Sequence, residues 1–143
     1  VNIMKKTILK FAIISALVAS GLVSANASEI SKLDVKKECN VEVNGVEKVL
    51  ATATKYNEIA IKNKVEFMRL GMKTSQYIEA VDAALKSGAK TIEIVDDKKK
   101  KTGDATIEFA SWRACAFAIS ALTQEEVAKK DWKLASPSDG YKY

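Results

Sequence analysis

The sequence predicts a mainly α-helical single domain, a small bundle of about four helices with one disulfide and room for one short β-hairpin. Three observations favour this class. Apolar residues recur every three or four positions after Val46. A second apolar run, Phe109 to Leu122, is too short to cross a membrane. The chain also contains two cysteines, far apart, behind a pattern typical of exported proteins.

Residues 4–27 have the three-part pattern of a cleaved secretory signal peptide. Three lysines precede an apolar stretch, and the small residues Ala25-Asn26-Ala27 form a cleavage site. An uncleaved N-terminal anchor helix is the alternative. We therefore expect a periplasmic protein with one globular domain over residues 28–135 and a flexible tail over 136–143. We expect no stable membrane insertion after cleavage.

Removal of the signal peptide changes the electrostatic interpretation of the chain. The full sequence has a net charge of +5, but three of its 23 basic residues and none of its 18 acidic residues lie in the signal. The remaining chain is therefore close to neutral, at +2. This balance gives little support to a nucleic-acid partner.

Cys39 and Cys115 are predicted to form a disulfide, because an exported protein with two cysteines usually pairs them. Two free buried thiols are the alternative. The spacing does not match a redox-active CxxC motif. A bridge across this interval would contribute about 4 kcal/mol in the chain-entropy description.

Two helices are predicted in the first half of the domain. The first spans roughly 46–70, with Gly71 ending it. Thr74 or Ser75 caps the second, and Gly88 follows its end. Residues 28–44 are polar and weakly patterned, and Asn44-Gly45 marks a turn.

The segment 91–109 permits two interpretations. Residues 91–95 and 105–109 have the composition of strands in a β-hairpin with a long charged tip. Alternatively, Asp104 caps a helix over 105–122, which we slightly favour. In either case the run of Lys98, Lys99, Lys100 and Lys101 is exposed. It is a candidate anion- or partner-contacting loop, although nearby acids favour a solvated tip.

The apolar run over residues 109–122 predicts a core helix, because it is apolar on nearly all sides. As a helix it would span about 21 Å, short of the roughly 30 Å of membrane hydrocarbon. Arg113 should reach the surface or pair with an acid. The side chains expected to anchor the core are Trp112, Phe117, Ile119 and Leu122.

A last short helix is predicted to begin at Thr123, because Thr123 and Glu126 match a capping box. Val127, Trp132 and Leu134 would form its apolar side. Pro137 lies beyond it, in the predicted tail.

The sequence lacks the residues of common catalytic and metal sites. Without histidine it has no Ser-His-Asp or Cys-His arrangement, and zinc, copper and haem lose their usual ligands. The neighbouring acids at 96–97 and 125–126 fit a loop and a helix start better than an acid–base pair. We expect no catalytic residues, no metal and no cofactor.

These observations favour an exported binding protein that is not an enzyme. It would act on another macromolecule in the envelope, as a stress chaperone or an accessory protein does. An immunity protein or inhibitor of a secreted toxin or hydrolase is the first alternative. An enzyme of an unusual, histidine-free type is the second, and a deep pocket that gathers acids, lysines or tyrosines would indicate it.

Overall fold

A computed structural model describes residues 27–134 of the chain. All of the predicted signal peptide except Ala27, and the predicted tail, lie outside these residues. The described part is mostly helical, with two small antiparallel hairpins. In chain order, its elements are α1 (Ala27–Ile30), α2 (Val35–Glu38), α3 (Val41–Asn44), α4 (Val46–Lys62), β1 (Met68–Arg69), β2 (Met72–Lys73), α5 (Thr74–Ser87), β3 (Thr91–Val95), β4 (Lys101–Thr106) and α6 (Ile107–Leu134).

The predicted helical class is confirmed, but the number and the lengths of the elements differ from the prediction. Between residues 27 and 134 there are three long helices and three single-turn helices, where about four helices were expected. The single turns form in the weakly patterned segment before Val46. The side chains of Asp34 and Asn40 cap α2 and α3, respectively, by accepting backbone amide hydrogen bonds.

The helix α6 is the centre of the domain, and it packs mainly against α4 and α5. Its buried side is rich in alanine, which lets the neighbouring helices approach closely. Ile119 and Leu122 are fully buried on that side. The main core lies where α4, α5 and α6 meet, and a smaller cluster joins Ile30, Ala60 and Leu122.

The predicted disulfide between Cys39 and Cys115 is present. Both cysteines are fully buried, and their Cα atoms lie 5.6 Å apart. The bridge links the short N-terminal helices to the first half of α6. It therefore holds α2 and α3, which are too short to be stable alone, against the main helices.

The predicted first helix is shorter than expected. It ends at Lys62 instead of continuing to residue 70. Lys64 then adopts a positive φ of 61°, which breaks the helical path. Gly71, expected to end the helix, lies instead in the tight turn between β1 and β2. The apolar residues after Lys62 misled the prediction because their spacing continued the helical pattern.

The second helix and its C-terminal end agree with the prediction, but the predicted cap is wrong. Lys73 occupies the N-cap position, and neither Thr74 nor Ser75 caps the helix. Helix α5 begins at Thr74 and is followed by Gly88 in the left-handed conformation, with φ 76° and ψ 12°. The amide and the hydroxyl of Thr74 both donate hydrogen bonds to the carbonyl of Phe67, at 3.0 and 3.1 Å. These bonds fix the loop before α5 against its first turn.

Two further predictions for the C-terminal half are wrong. Residues 105 and 106 belong to β4, so the hairpin forms and the helix begins only at Ile107. The capping box at Thr123 does not form, because α6 continues through it to Leu134. The Thr123 hydroxyl instead donates a 3.0 Å hydrogen bond to the Ile119 carbonyl, as hydroxyls inside helices do. The side chains of Trp132 and Leu134 lie outside the described part.

Candidate interaction surface

The prediction that Trp112 anchors the core is wrong. The residue is 43% exposed, and the neighbouring Phe109 is 42% exposed. Helix α6 is covered by α4 and α5 on its alanine-rich side only, so large residues on its other side remain at the surface. Because the helix is apolar nearly all round, its sequence could not indicate which side would be covered.

The exposed aromatic residues belong to a series of rings, in two groups, along one side of α6. Phe117 is half-buried and contacts Phe67 and Tyr77 edge to face, with ring centroids 6.0 and 6.4 Å apart. Phe109 and Trp112 pack together at 5.7 Å. Tyr77 is fully buried, so the series runs from the core to solvent.

Arg113 joins the two halves of this series. Its guanidinium carbon lies 4.5 Å from the centre of the Phe109 ring, 5.9 Å from that of Phe117 and 6.0 Å from that of Tyr77. Its Nη1 also lies 3.4 Å from the Tyr77 hydroxyl, to which it donates a long hydrogen bond. Arg113 was expected to reach solvent or to pair with an acid, but it is half-buried among rings. No carboxylate of residues 27–134 forms an ion pair with it.

An open groove lies beside Phe109 and Trp112, between the start of α6 and the segment that carries α2 and α3. Val41 and Val46 supply apolar wall next to the two rings. Three charged side chains, Lys36, Glu42 and Glu108, surround the apolar part, and Asn40 and Gly45 complete the lining with Cys39. We call Phe109, Trp112, Val41 and Val46 the Trp112 surface. An apolar centre with a polar rim is the usual composition of a protein–protein contact.

The rim of the groove carries more negative than positive charge. Lys36, Glu42 and Glu108 are all exposed, and none forms an ion pair within the described part of the chain. The rim around the apolar centre therefore carries two carboxylates and one ammonium group. This imbalance suits an incoming positive charge.

The backbone of the groove is held firmly. Cys39 lines the groove and is bonded to Cys115, which lies one turn beyond Trp112 along α6. The side-chain amide of Asn44 donates a 2.9 Å hydrogen bond to the Lys37 carbonyl, which fastens α3 to α2. A surface that is held in place before contact loses less conformational entropy on binding.

The four lysines of the run 98–101 lie in two different environments. Lys98, Lys99 and Lys100 are exposed in the turn between β3 and β4. Lys101 is the first residue of β4, and its ammonium group lies 3.2 Å from Glu93 and 3.0 Å from Asp104. Hydrogen bonds from these ion pairs raise the pKa of Lys101 above its usual range. None of the four lysines lines the groove beside the Trp112 surface.

Groups with shifted pKa values do not gather at the groove. The pKa of Glu66 is lowered: burial alone would raise it, but hydrogen bonds from Ser75 and Asn57 outweigh that effect. The pKa of Lys129 is raised, chiefly by its hydrogen bond with Glu125. Neither residue lines the groove. The deep, acid- or lysine-lined pocket that would indicate an unusual enzyme is therefore not what the groove presents.

Metal binding and membrane crossing each need a particular set of side chains. Across residues 27–134, no cluster of three or more His, Cys, Asp or Glu side chains is arranged to hold a metal ion. Over the same span, the helices lack the length or the apolar character needed to cross a membrane.

Comparisons with known proteins do not assign this chain to a class. No protein family, curated protein sequence or solved structure matches it. The interpretation of the site therefore depends on its geometry alone.

Sequence reasoning did not identify the functional potential of Phe109 and Arg113. Their spacing places residues 109, 112 and 113 on one side of a helix, but it does not indicate whether that side is covered. Aromatic and arginine side chains grouped in this way are enriched in the energetic centres of interfaces.

Proposed function

We propose that this protein acts by binding another protein of the cell envelope through the Trp112 surface. The observation that carries the proposal is the exposure of Phe109 and Trp112, side by side, on a helix fixed by the Cys39–Cys115 bridge. The two exposed rings leave apolar surface area in contact with water. A partner that covers this area would gain the free energy of its burial.

The side chains that line the groove indicate which kind of partner it would bind. An apolar side chain would fill the space between Trp112 and Val41, and a lysine or arginine beside it would face Glu42 and Glu108. A folded partner with such a pair on its surface suits a small, pre-formed groove. This favours a specific accessory or inhibitory role, including that of an immunity protein, over a chaperone that holds many unfolded clients.

The test compares two exposed apolar residues on the same helix. Val127 is 52% exposed on α6 and does not line the groove, so Val127→Ala is a matched control for Trp112→Ala. The tagged protein and both variants are used to isolate partners from an envelope extract. Any candidate is then purified and titrated against each protein by calorimetry.

The proposal expects a 1:1 complex that Trp112→Ala weakens at least about tenfold, because central aromatic anchors carry roughly 2 kcal/mol or more. Val127→Ala should leave the affinity unchanged. Charge reversal at Glu42 should weaken binding and reduce its dependence on salt. Equal affinity of the two alanine variants, or the absence of any Trp112-dependent partner, would refute the proposal.

The chaperone version gives a different result in a second assay. A chaperone would prevent aggregation of several unrelated unfolded proteins at low pH, with no fixed stoichiometry. Such activity, without a 1:1 partner, would replace the specific-binding proposal.

A further inference from the structure

The turns of the two hairpins lie against each other. Gly71, in the β1–β2 turn, packs so closely against the backbone of Asp96 and Asp97 that a Cβ atom there would clash with it. Asp96 and Asp97 begin the β3–β4 turn, so the two turns form a single surface. We call Met68, Leu70, Lys98, Lys99 and Lys100 the hairpin-tip surface.

Leu70 is an unusual residue for its position. It and Gly71 are the two central residues of the β1–β2 turn, and both have positive φ, of 53° and 87°. Such turns favour Asn-Gly, because a branched apolar side chain is strained in the left-handed region. Leu70 is also 75% exposed and belongs to neither core cluster. The fold thus holds an apolar side chain in solvent at the expense of backbone strain.

Met68, two residues earlier, strengthens the apolar character of this surface. It is 62% exposed, so two large apolar side chains project from a hairpin of four strand residues. Projecting apolar side chains on a tight turn differ from the groove beside Trp112. They project outward and could insert into the surface of a binding partner, whereas the groove would receive a side chain from its partner.

The neighbouring turn adds positive charge. The Asp96 carboxylate accepts hydrogen bonds from the amides of Lys98 and Lys100, at 2.9 and 2.8 Å, which orders the turn. Lys98, Lys99 and Lys100 are exposed and form no ion pair with any residue between 27 and 134. With Arg69, they outnumber the two acids of the turn by four to two.

We infer that the hairpin-tip surface binds the surface of an anionic lipid bilayer. Leu70 and Met68 would enter the boundary between headgroups and acyl chains, while the three lysines contact lipid phosphates. Apolar side chains flanked by lysines are what such a surface binds, because burial and charge attraction add. A protein partner would need a pocket whose shape matches Leu70. An anionic bilayer needs no matching shape, because it offers negative headgroups and an apolar interior.

This contact is peripheral and independent of the Trp112 surface. The β3–β4 hairpin has five paired positions, and α6 begins at its base, immediately after Thr106. The lysine turn therefore lies about 16 Å from the start of α6. A protein bound to lipid in this way could still offer Trp112 to a partner.

The experiment is flotation of the purified protein with vesicles of phosphatidylglycerol and phosphatidylethanolamine, and with phosphatidylcholine vesicles for comparison. Binding should require phosphatidylglycerol and fall as salt rises. Replacement of Lys98, Lys99 and Lys100 by glutamine should weaken it about a hundredfold, because each lysine near such a surface contributes about fivefold.

Leu70→Asn is the decisive variant. Asparagine suits the turn, so the protein should unfold at the same temperature as wild type or higher, yet bind the anionic vesicles about tenfold more weakly. Trp112→Ala should bind them like wild type, which separates this inference from the proposed protein partner. No binding to anionic vesicles, or equal binding by Leu70→Asn, would overturn the inference.

Discussion

The guanidinium group of Arg113 stacks on the ring of Phe109, with 4.5 Å between the guanidinium carbon and the ring centre. The same group also approaches the rings of Phe117 and Tyr77. A buried tyrosine is thus connected to the exposed Trp112 surface through a cation. Because arginine is planar and weakly hydrated, it can be half-buried among rings without a carboxylate partner.

Arg113→Ala should lower the free energy of unfolding by about 1–2 kcal/mol, through lost stacking and lost packing of the side-chain stem. Arg113→Lys should have an intermediate effect, because lysine keeps the charge and the stem but not the planar group. Urea denaturation at neutral pH measures both. If Arg113→Ala is as stable as wild type, the stacking contributes nothing to the fold.

Glu66 links α4 to the start of α5. Its carboxylate accepts hydrogen bonds from the Ser75 amide at 2.7 Å and from the Asn57 side chain at 3.1 Å. The amide of Ser75 is one of those that a helix start leaves without a partner, so Glu66 caps α5 from a distance. These bonds are stronger with the ionised carboxylate than with the neutral acid.

The lowered pKa of Glu66 predicts a loss of stability in acid. Its contribution is fully present above the unfolded value near 4.5 and disappears as the pH falls through the lower folded value. Glu66→Gln should therefore cost about 1 kcal/mol at pH 7, and the difference from wild type should shrink toward pH 3. Urea denaturation at several pH values tests this, with the exposed Glu79→Gln as control. A difference that does not change with pH would contradict the role of the charge.

Gly71 is expected to tolerate alanine far less well than Gly88. Both have positive φ, but open space surrounds Gly88, whereas a Cβ at Gly71 would clash with the Asp96–Asp97 backbone. Gly88→Ala should cost about 1 kcal/mol, and Gly71→Ala at least about 2 kcal/mol more. Thermal unfolding of the two variants gives the comparison. Equal losses would mean that the two hairpin turns do not pack as described.

The Cys39–Cys115 bridge should contribute about 4 kcal/mol to stability, since it spans 76 positions of the chain. Replacement of both cysteines by alanine should lower the urea midpoint accordingly. Thiol titration of the wild-type protein, unfolded in denaturant, should detect no free thiol at these two residues. A loss below about 1 kcal/mol would show that the short N-terminal helices remain in place without the bridge.

Features that depend on local chemistry could be predicted from the residues alone. The pairing of the cysteines needed only their number and the expected compartment. Helix α5 could be located because its apolar spacing is regular and Gly88 suits the left-handed turn that ends it. Ile119 and Leu122 belong to an apolar run that had to be largely buried in a domain of this size.

Features that depend on distant partners were decided by the tertiary structure. The first helix ends at Lys62 because the following residues pack elsewhere: Glu66 bonds Ser75, and Phe67 contacts Phe117. Spacing alone continued the helix to residue 70. The segment 105–106 likewise joins a strand because β3 is available to pair with it.

The position of Trp112 shows the same division most clearly. A helix that is apolar nearly all round has no sequence pattern to indicate which side faces the core. The neighbours α4 and α5 decide that, and they cover the alanine-rich side, where backbones can approach closely, and leave Phe109 and Trp112 exposed. The residue types of the run 109–122 predict that this part of α6 is largely buried, whereas the packing of the other helices decides which of its side chains stay at the surface.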